Sequence, residues 1–227
     1  DTDGHYTEKL LRLPGGLWCY EPHAMLPEPG KGPREAYGYV TFASLNASIK
    51  LSQPTLDAWA RLLNRVPDSR LLFATVVPGL PRDRLRRHFA DQHIDPSRIE
   101  FEPPMSRASF WTLYARSDIA LDTWPCNGGT TTFEALWGGV PVVTMEGTEF
   151  RSRAGAAILR AAGLPELVAA NVDDYVERAA ALAKDRSRLA MLRAGLRGRL
   201  RSSGLLDGQR YTRELEQCYR QALGARA

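Results

Sequence analysis

The chain has 227 residues, is 44% hydrophobic and 9% aromatic, and carries 30 Lys and Arg against 26 Asp and Glu. This composition predicts a folded chain of one large domain or one and a half, since a domain commonly takes about 150 residues. No apolar run approaches the ~18 residues of a membrane helix, and the polar start lacks the apolar core of a signal peptide, so we expect no membrane association. The first residue is not Met, and we therefore expect a part of a longer protein.

Charge and cysteine patterns exclude several classes of function. Basic residues cluster in 82–87 and 193–201, and we interpret both clusters as solvated helix faces. The alternative, a nucleic-acid surface, would need stacking aromatics or a recognisable module nearby. The three cysteines are far apart, which fits a reducing compartment and predicts a cytoplasmic protein. Because the four histidines share no ligand spacing, we expect neither a metal nor another cofactor.

The chain divides into three parts. Residues 21–35 contain four of the 15 prolines together with two glycines, and this composition predicts an extended linker behind a short lead. We therefore assign a lead-in segment and linker to 1–36, a Rossmann-like domain to 37–170, and C-terminal helices packed on it to 171–227.

Within the central part, short β-rich runs alternate with helical periods. Strands are predicted over 37–42, 70–77, 98–101, 117–122 and 140–145. Helices are predicted over 56–66, 81–93, 106–116, 130–137 and 151–162, with three more over 172–223 and with Ser52 and Asn171 as N-caps. The alternation predicts an α/β fold with a doubly wound, Rossmann-like parallel sheet and a helical C-terminal tail. Ligands of such sheets bind beyond the carboxyl ends of the strands.

One strand-to-helix loop carries the clearest chemistry. In 119–143 a strand is followed by Asn-Gly-Gly and then by a threonine run that opens a helix. The glycines permit positive φ and close approach of a ligand, and the first amides of the helix suit a diphosphate beside the hydroxyls of Thr130 and Thr131. Glu134 shares their helix face and could accept two ribose hydroxyls. The alternative is a glycine turn with a threonine cap and an exposed Glu.

Two further segments follow strands and point to the same edge. Lys50 could neutralise a diphosphate, or it could be a solvated Lys beside a helix start. Backbone groups near Met105 and Ser106, with the side chains of Arg107 and Phe110, could hold a base, although Phe110 and Trp111 taken alone favour a place in the core. Cys126 has no His near it in sequence, which favours a pocket-lining thiol over a nucleophile.

The residues also carry a family resemblance. The runs LDTWPCNGGTTTFEALWGGVPVVTM (121–145), SRAGAAILRAAGLPELVA (152–169) and YVTFASLNASIKLS (39–52) resemble the carboxyl-terminal half of O-GlcNAc transferases of glycosyltransferase family 41. The segments 6–22, 51–72 and 202–223 resemble the same family, so that the resemblance covers essentially the whole chain. It implies a GT-B fold whose second half grips the UDP of UDP-GlcNAc.

Positions follow from this resemblance. Lys50 would neutralise the diphosphate and so stabilise the leaving group, Thr130 and Thr131 would donate to the diphosphate, and Glu134 would hold the ribose. A second group of positions would lie around the uracil, the sugar or the diphosphate, and this group comprises Met105, Ser106, Arg107, Phe110, Leu113, Cys126 and Gly129.

Several positions depart from the family's pattern. Animal members carry His at Gly129, Gln at Ala47 and Arg at Leu113, and members often carry His at Phe110, so we expect a plainer nucleotide site here. The amino-terminal catalytic half and the TPR array that docks the protein acceptor are also missing from these residues. We therefore interpret the chain as the donor-binding half of an inverting protein O-GlcNAc transferase, inactive alone. The alternatives are a catalytically inactive nucleotide-binding or partner-docking module and a basic nucleic-acid binder.

Overall fold

The computed structural model describes residues 3–224, in which six strands form one parallel sheet. The strands are β1 (Val40–Ser44), β2 (Ser69–Phe73), β3 (Ile99–Phe101), β4 (Ile119–Leu121), β5 (Val142–Met145) and β6 (Val168–Ala169). Their order is β3-β2-β1-β4-β5-β6, and each neighbouring pair is parallel. The predicted doubly wound α/β fold is confirmed. This order reverses direction between β1 and β4, where a doubly wound sheet opens its ligand crevice.

Helices cover both faces of the sheet and continue into the tail. In the described part of the chain they are α1 (Pro33–Tyr37), α2 (Gln53–Arg65), α3 (Leu80–Asp91), α4 (Arg107–Trp111), α5 (Thr130–Trp137), α6 (Ala154–Ala161), α7 (Val172–Lys184), α8 (Arg186–Ser202) and α9 (Gly208–Gly224). None of them is long and apolar enough to cross a membrane. The predicted N-caps are confirmed: Ser52 accepts from the amide of Thr55 at 3.3 Å, and Asn171 accepts from that of Asp174 at 2.9 Å.

The core lies between the sheet and its helices. Strands β1, β4 and β6 are buried along their whole length and β5 along all but Met145, as in a parallel sheet covered on both faces, whereas the edge strand β3 is only partly buried. Trp59 of α2 donates to the hydroxyl of Tyr175 on α7 at 3.2 Å, and that hydroxyl donates to the carbonyl of Asp122 at 3.0 Å. The tail is thereby hydrogen-bonded to the end of β4.

Strand bounds were less well predicted than strand positions. Residues 37–39 precede β1 because Tyr37 ends α1 and Gly38 takes a left-handed φ of 84°. Residues 74–77 lie beyond β2, and Thr75 has a φ of 56°. The two-residue strand β6 was missed because Val168–Ala169 is too short to show an alternating pattern.

Residues 21–35 do not lead away from the domain, contrary to the linker prediction. Leu26 is buried, Arg197 donates to the carbonyl of Pro27 at 2.8 Å, and Arg193 donates to that of Gly30 at 2.6 Å. The amide of Arg34 donates to the carboxylate of Asp118 at 3.0 Å. The segment is therefore fastened to the domain along its length.

The same contacts correct the interpretation of 193–201 as a solvated face. Arg193 and Arg197 are each only 8% exposed. Arg193 also donates to the carbonyls of Ser117 and Tyr114 at 2.8 and 3.1 Å, and Arg197 to that of Trp137 at 2.9 Å. These two side chains join the helical tail to the sheet domain instead of facing water.

Candidate functional site

Two loops meet at the carboxyl edge of the sheet, where its strand order reverses. One loop follows β1 and contains Asn46 and Lys50, and the other follows β4 and runs from Asp122 to Gly129. Nζ of Lys50, half-buried, donates to the carbonyl oxygen of Asn127 at 2.7 Å. The predicted convergence of these two segments is therefore present in the fold.

Asp122 organises the loop after β4 and was not among the predicted functional residues. Its Oδ1 accepts from the amide of Gly128 at 2.7 Å, from that of Thr123 at 2.9 Å and from Nδ2 of Asn46 at 2.9 Å. Its Oδ2 accepts from Oγ1 of Thr144 at 2.6 Å. Burial raises the pKa of Asp122, and these hydrogen bonds oppose that rise. The carboxylate thus links the ends of three neighbouring strands.

The amino end of α5 points from this loop toward solvent. Thr130 is exposed, whereas Oγ1 of Thr131 donates to Oδ1 of Asn46 at 2.8 Å. The first amides of a helix have no partner within it and carry the positive end of its dipole, so this end can receive an anion. The Thr131 hydroxyl is engaged with Asn46, so donating to an anion would require it to break this bond.

Gly128 and Gly129 leave space for neighbouring side chains and do not adopt left-handed backbone. The suggestion that these glycines serve the loop through a positive φ is therefore corrected. Gly129 has a φ of −121°, and neither residue takes a positive φ. A Cβ on Gly128 would lie 2.7 Å from Oγ1 of Thr132, and one on Gly129 would lie 2.8 Å from Cη2 of Trp18. Cys126, one residue before Asn127, has a free, half-buried thiol.

The segment after β3 contacts α5 further along the helix, at Glu134. Met105 packs against the core, and Ser106 caps α4 by accepting from the amide of Ser109 at 3.2 Å. Phe110 is half-buried and meets Tyr114 edge-on at 6.0 Å between ring centroids. Leu113 is only 1% exposed and belongs to the core, so its side chain is not available to a ligand in this structure.

Glu134 is the most enclosed of the predicted polar binding residues and is not the exposed Glu of the alternative interpretation. It is 4% exposed. Its Oε1 accepts from Nε1 of Trp111 and from Nη2 of Arg107, both at 3.2 Å. Its Oε2 accepts from the hydroxyl of Tyr114 at 3.0 Å. Through this carboxylate, α5 is bonded to α4 and to the turn that follows it.

Aromatic residues of the lead-in segment cover this region, and they were not among the predicted functional residues. Trp18 meets Phe133 edge-on at 5.9 Å, and Tyr20 stacks on Phe133 at 4.7 Å. His23 packs on Trp111 at 4.6 Å. Desolvation and the charge of Glu134 raise the pKa of Tyr20 to about 12. Trp18 and Tyr20 lie in a stretch rich in Gly and Pro, and these two aromatic residues are the feature of the sequence that could have indicated a packed segment.

The site therefore has two connected parts on α5. The first contains Lys50, the loop 126–129 and the amino end of α5, and its ammonium group and free helix amides suit an anion. The second contains Glu134 and Arg107 with their aromatic neighbours. Among residues 3–224, no group of three His, Cys, Asp or Glu is placed to hold a metal ion.

Comparison with known proteins identifies the family. The sequence model of glycosyl transferase family 41 matches residues 32–215, which is most of the chain. The chain belongs to glycosyltransferase family 41. Over 224 residues it is 38% identical to the probable UDP-N-acetylglucosamine–peptide N-acetylglucosaminyltransferase SPINDLY of Petunia hybrida. It is 34% identical over 177 residues to the UDP-N-acetylglucosamine–peptide N-acetylglucosaminyltransferase of Caenorhabditis elegans.

Part of a solved O-GlcNAc transferase has the same fold. A mutant of Thermobaculum terrenum O-GlcNAc transferase matches 96% of this chain with a TM-score of 0.88 and 37% identity. The match covers 42% of that chain. This chain spans 24% of the Petunia protein and 15% of the Caenorhabditis protein, although the alignments cover 96% and 78% of its own residues.

Proposed function

We propose that this chain is the nucleotide-sugar-binding half of an inverting glycosyltransferase that moves GlcNAc from UDP-GlcNAc to Ser or Thr of proteins. The observation that carries the proposal is the meeting of Lys50, the loop 126–129 and the amino end of α5 at the edge where the strand order reverses. Relatives named as UDP-N-acetylglucosamine–peptide transferases support the choice of donor and acceptor.

The diphosphate would lie against the amino end of α5. Nζ of Lys50 is already held there by the carbonyl of Asn127, so little of its conformational freedom remains to be lost on binding. As the bond from the sugar to the diphosphate breaks, negative charge develops on UDP. Lys50 and the first amides of α5 would stabilise that charge, and preorganised donors of this kind commonly contribute about 3 kcal/mol each.

The nucleoside would lie along the second part of the site. Glu134 would accept the ribose hydroxyls, and the backbone near Met105 and Ser106 would hold the uracil edge. The half-buried ring of Phe110 and the exposed guanidinium of Arg107 would pack beside the base. Cys126 and Gly129 would lie near the sugar and the diphosphate.

The acceptor and the catalytic base would come from other parts of the full-length protein. The chain spans less than half of each of the three relatives compared above, and a GT-B enzyme closes its site between two halves. We therefore expect these 227 residues to transfer no GlcNAc to a peptide by themselves. Detectable transfer of radiolabelled GlcNAc by this chain alone would contradict that expectation.

Calorimetric titration with UDP and ADP tests the binding function. We expect UDP to bind in preference to ADP, and Lys50→Ala to weaken UDP binding by about 1.5–3 kcal/mol, the contribution of a hydrogen bond to a charged group. Lys31→Ala is the matched control, because Lys31 lies beside Tyr39 and Arg70, close to the amino ends of β1 and β2. Equal weakening by the two variants, or equal affinity for the two nucleotides, would contradict the proposal.

A further inference from the structure

The carboxylate of Glu134 is almost fully engaged in this structure. A carboxylate offers about four acceptor positions. Three donors already use it: Arg107 and Trp111 at Oε1 and Tyr114 at Oε2. The two vicinal hydroxyls of a ribose would need two positions. One of the three donors must therefore leave before a ribose can bind in the proposed way.

The three donors differ in whether they can leave. Trp111 is 3% exposed and Tyr114 is 1% exposed, so either would leave a buried polar group without a partner. Burial and the charge of Glu134 raise the pKa of Tyr114 well above its usual value, which keeps its hydroxyl protonated as a donor. The Arg107 side chain is 63% exposed, and water can replace its bond to Glu134.

Arg107 also has a second contact that does not involve Glu134. Its guanidinium lies over the indole ring of Trp111, 5.4 Å from the ring centroid. A cation over an aromatic face is attracted to it without needing a carboxylate partner. The side chain can therefore release Glu134 while it stays beside the proposed base subsite.

We propose that Arg107 is an exchangeable cap on the carboxylate of Glu134 and that the vicinal hydroxyls of the ribose displace it. Because the Arg107–Glu134 pair must break first, Arg107 limits how strongly the site prefers ribose over sugars that lack these hydroxyls. The inference rests on the proposed function, since it assumes that a uridine nucleotide binds here. A nucleotide without the two hydroxyls leaves the Arg107–Glu134 pair in place. UDP must break it, and the wild-type preference for UDP is lowered accordingly.

The ratio of two dissociation constants isolates the cap. We define it as the Kd of 2′,3′-dideoxy-UDP divided by the Kd of UDP, both measured by calorimetry. Contacts of Arg107 with the base or the diphosphate affect both nucleotides and cancel. We expect the wild-type ratio to exceed one and Arg107→Met to raise it about two- to fivefold, the range of an exposed ion pair. Glu134→Gln should lower it toward one.

Two further measurements separate a cap from a merely structural role. Arg116→Met removes another exposed arginine, one paired with Glu100 and Glu102, and should leave the ratio unchanged. Added salt weakens an exposed ion pair, so it should raise the ratio of the wild type and not that of Arg107→Met.

The outcomes are distinguishable. If UDP binds but Arg107→Met leaves the ratio unchanged or lowers it, the cap is wrong and the proposed function stands. If Glu134→Gln keeps the wild-type ratio, the ribose does not bind this carboxylate, and the cap is again wrong. If neither nucleotide binds the folded wild type, the proposed function and the cap are overturned together.

Discussion

The amide of Gly128 donates to Oδ1 of Asp122 at 2.7 Å, which folds the loop after β4 back onto the end of its own strand. Because this amide points inward, the loop closes directly beneath the first turn of α5. Of the positions that follow, Gly129 is half-buried beneath Trp18, and Thr130 lies exposed at the edge where Lys50 lies. A buried carboxylate that never meets the ligand in our account therefore shapes the proposed diphosphate site.

Asp122→Ala should destabilise the protein strongly. It would leave the amides of Gly128 and Thr123 and the side-chain amide of Asn46 without their acceptor, and an unpaired buried donor commonly costs about 1–3 kcal/mol. Asp122→Asn keeps one acceptor oxygen and should cost less. Urea unfolding of the three proteins measures the difference, and equal stability of Asp122→Ala and the wild type would contradict this role.

The pH dependence of stability should change in Asp122→Asn. The folded-state pKa of Asp122 is raised, with burial as the largest cause, so the folded protein holds its proton to a higher pH than the unfolded chain. The pKa of Asp122 in the unfolded chain is close to 3.8. Below that pH the raised folded-state pKa makes its whole contribution to the free energy of unfolding, and this contribution is lost as the pH rises through the folded-state pKa. Wild-type stability relative to Asp122→Asn should therefore decrease upward from pH 4. A relative increase would show the opposite shift.

Gly129→Ala should disturb the packing of Trp18. The added Cβ would lie 2.8 Å from Cη2 of the indole, so the ring must move away from the backbone. We expect a loss of stability that Trp18→Ala relieves, giving a coupling energy of about 0.5–3 kcal/mol in a double-mutant cycle of unfolding free energies. Additive effects of the two substitutions would show that the ring does not lie on Gly129.

A matched control exists within α8. A Cβ on Gly198 would meet nothing within 4 Å, and glycine inside a helix is about 1 kcal/mol less favourable than alanine. Gly198→Ala should therefore stabilise the protein by roughly that amount.

Arg193→Met should loosen the packed segment 21–35. The substitution removes the donor to the carbonyls of Gly30, Ser117 and Tyr114, and we expect a loss of about 3 kcal/mol because buried acceptors are left unpaired. Hydrogen exchange should be faster in the segment's amides that bond to the domain, including that of Arg34. Arg213→Met, at an exposed position of α9, is the control. Equal exchange in both variants would contradict the tethering role of Arg193.

The sequence predicted the fold class and the edge that carries the site for a clear physical reason. Alternating strands and helices dictate a parallel sheet, and the carboxyl ends of parallel strands meet at one edge. Lys50 and the loop before Thr130 follow two different strands. Their proximity could therefore be predicted without knowledge of any side-chain contact. The family resemblance was carried by the same loop together with the runs 39–52 and 152–169.

Contacts between distant segments could not be predicted in this way. Trp18 reaches Gly129 because the lead-in segment folds over α5, and nothing in the local pattern specifies that path. The burial of Arg193 and Arg197 likewise depends on where residues 27–30 run, so α8 alone suggested a solvated face. The donors of Glu134 come from α4 and the turn after it, which only the packed fold brings together.

Backbone amide NMR during titration with UDP tests the central claim most directly, since it locates the nucleotide on the sheet. We expect saturable shifts of the amides of Gly129, Thr130 and Thr131, with smaller shifts near Arg107, and loss of the shifts at the α5 amides in Lys50→Ala. Shifts concentrated instead around the cavity lined by Arg34 and Arg186, with no change at the amino end of α5, would contradict it.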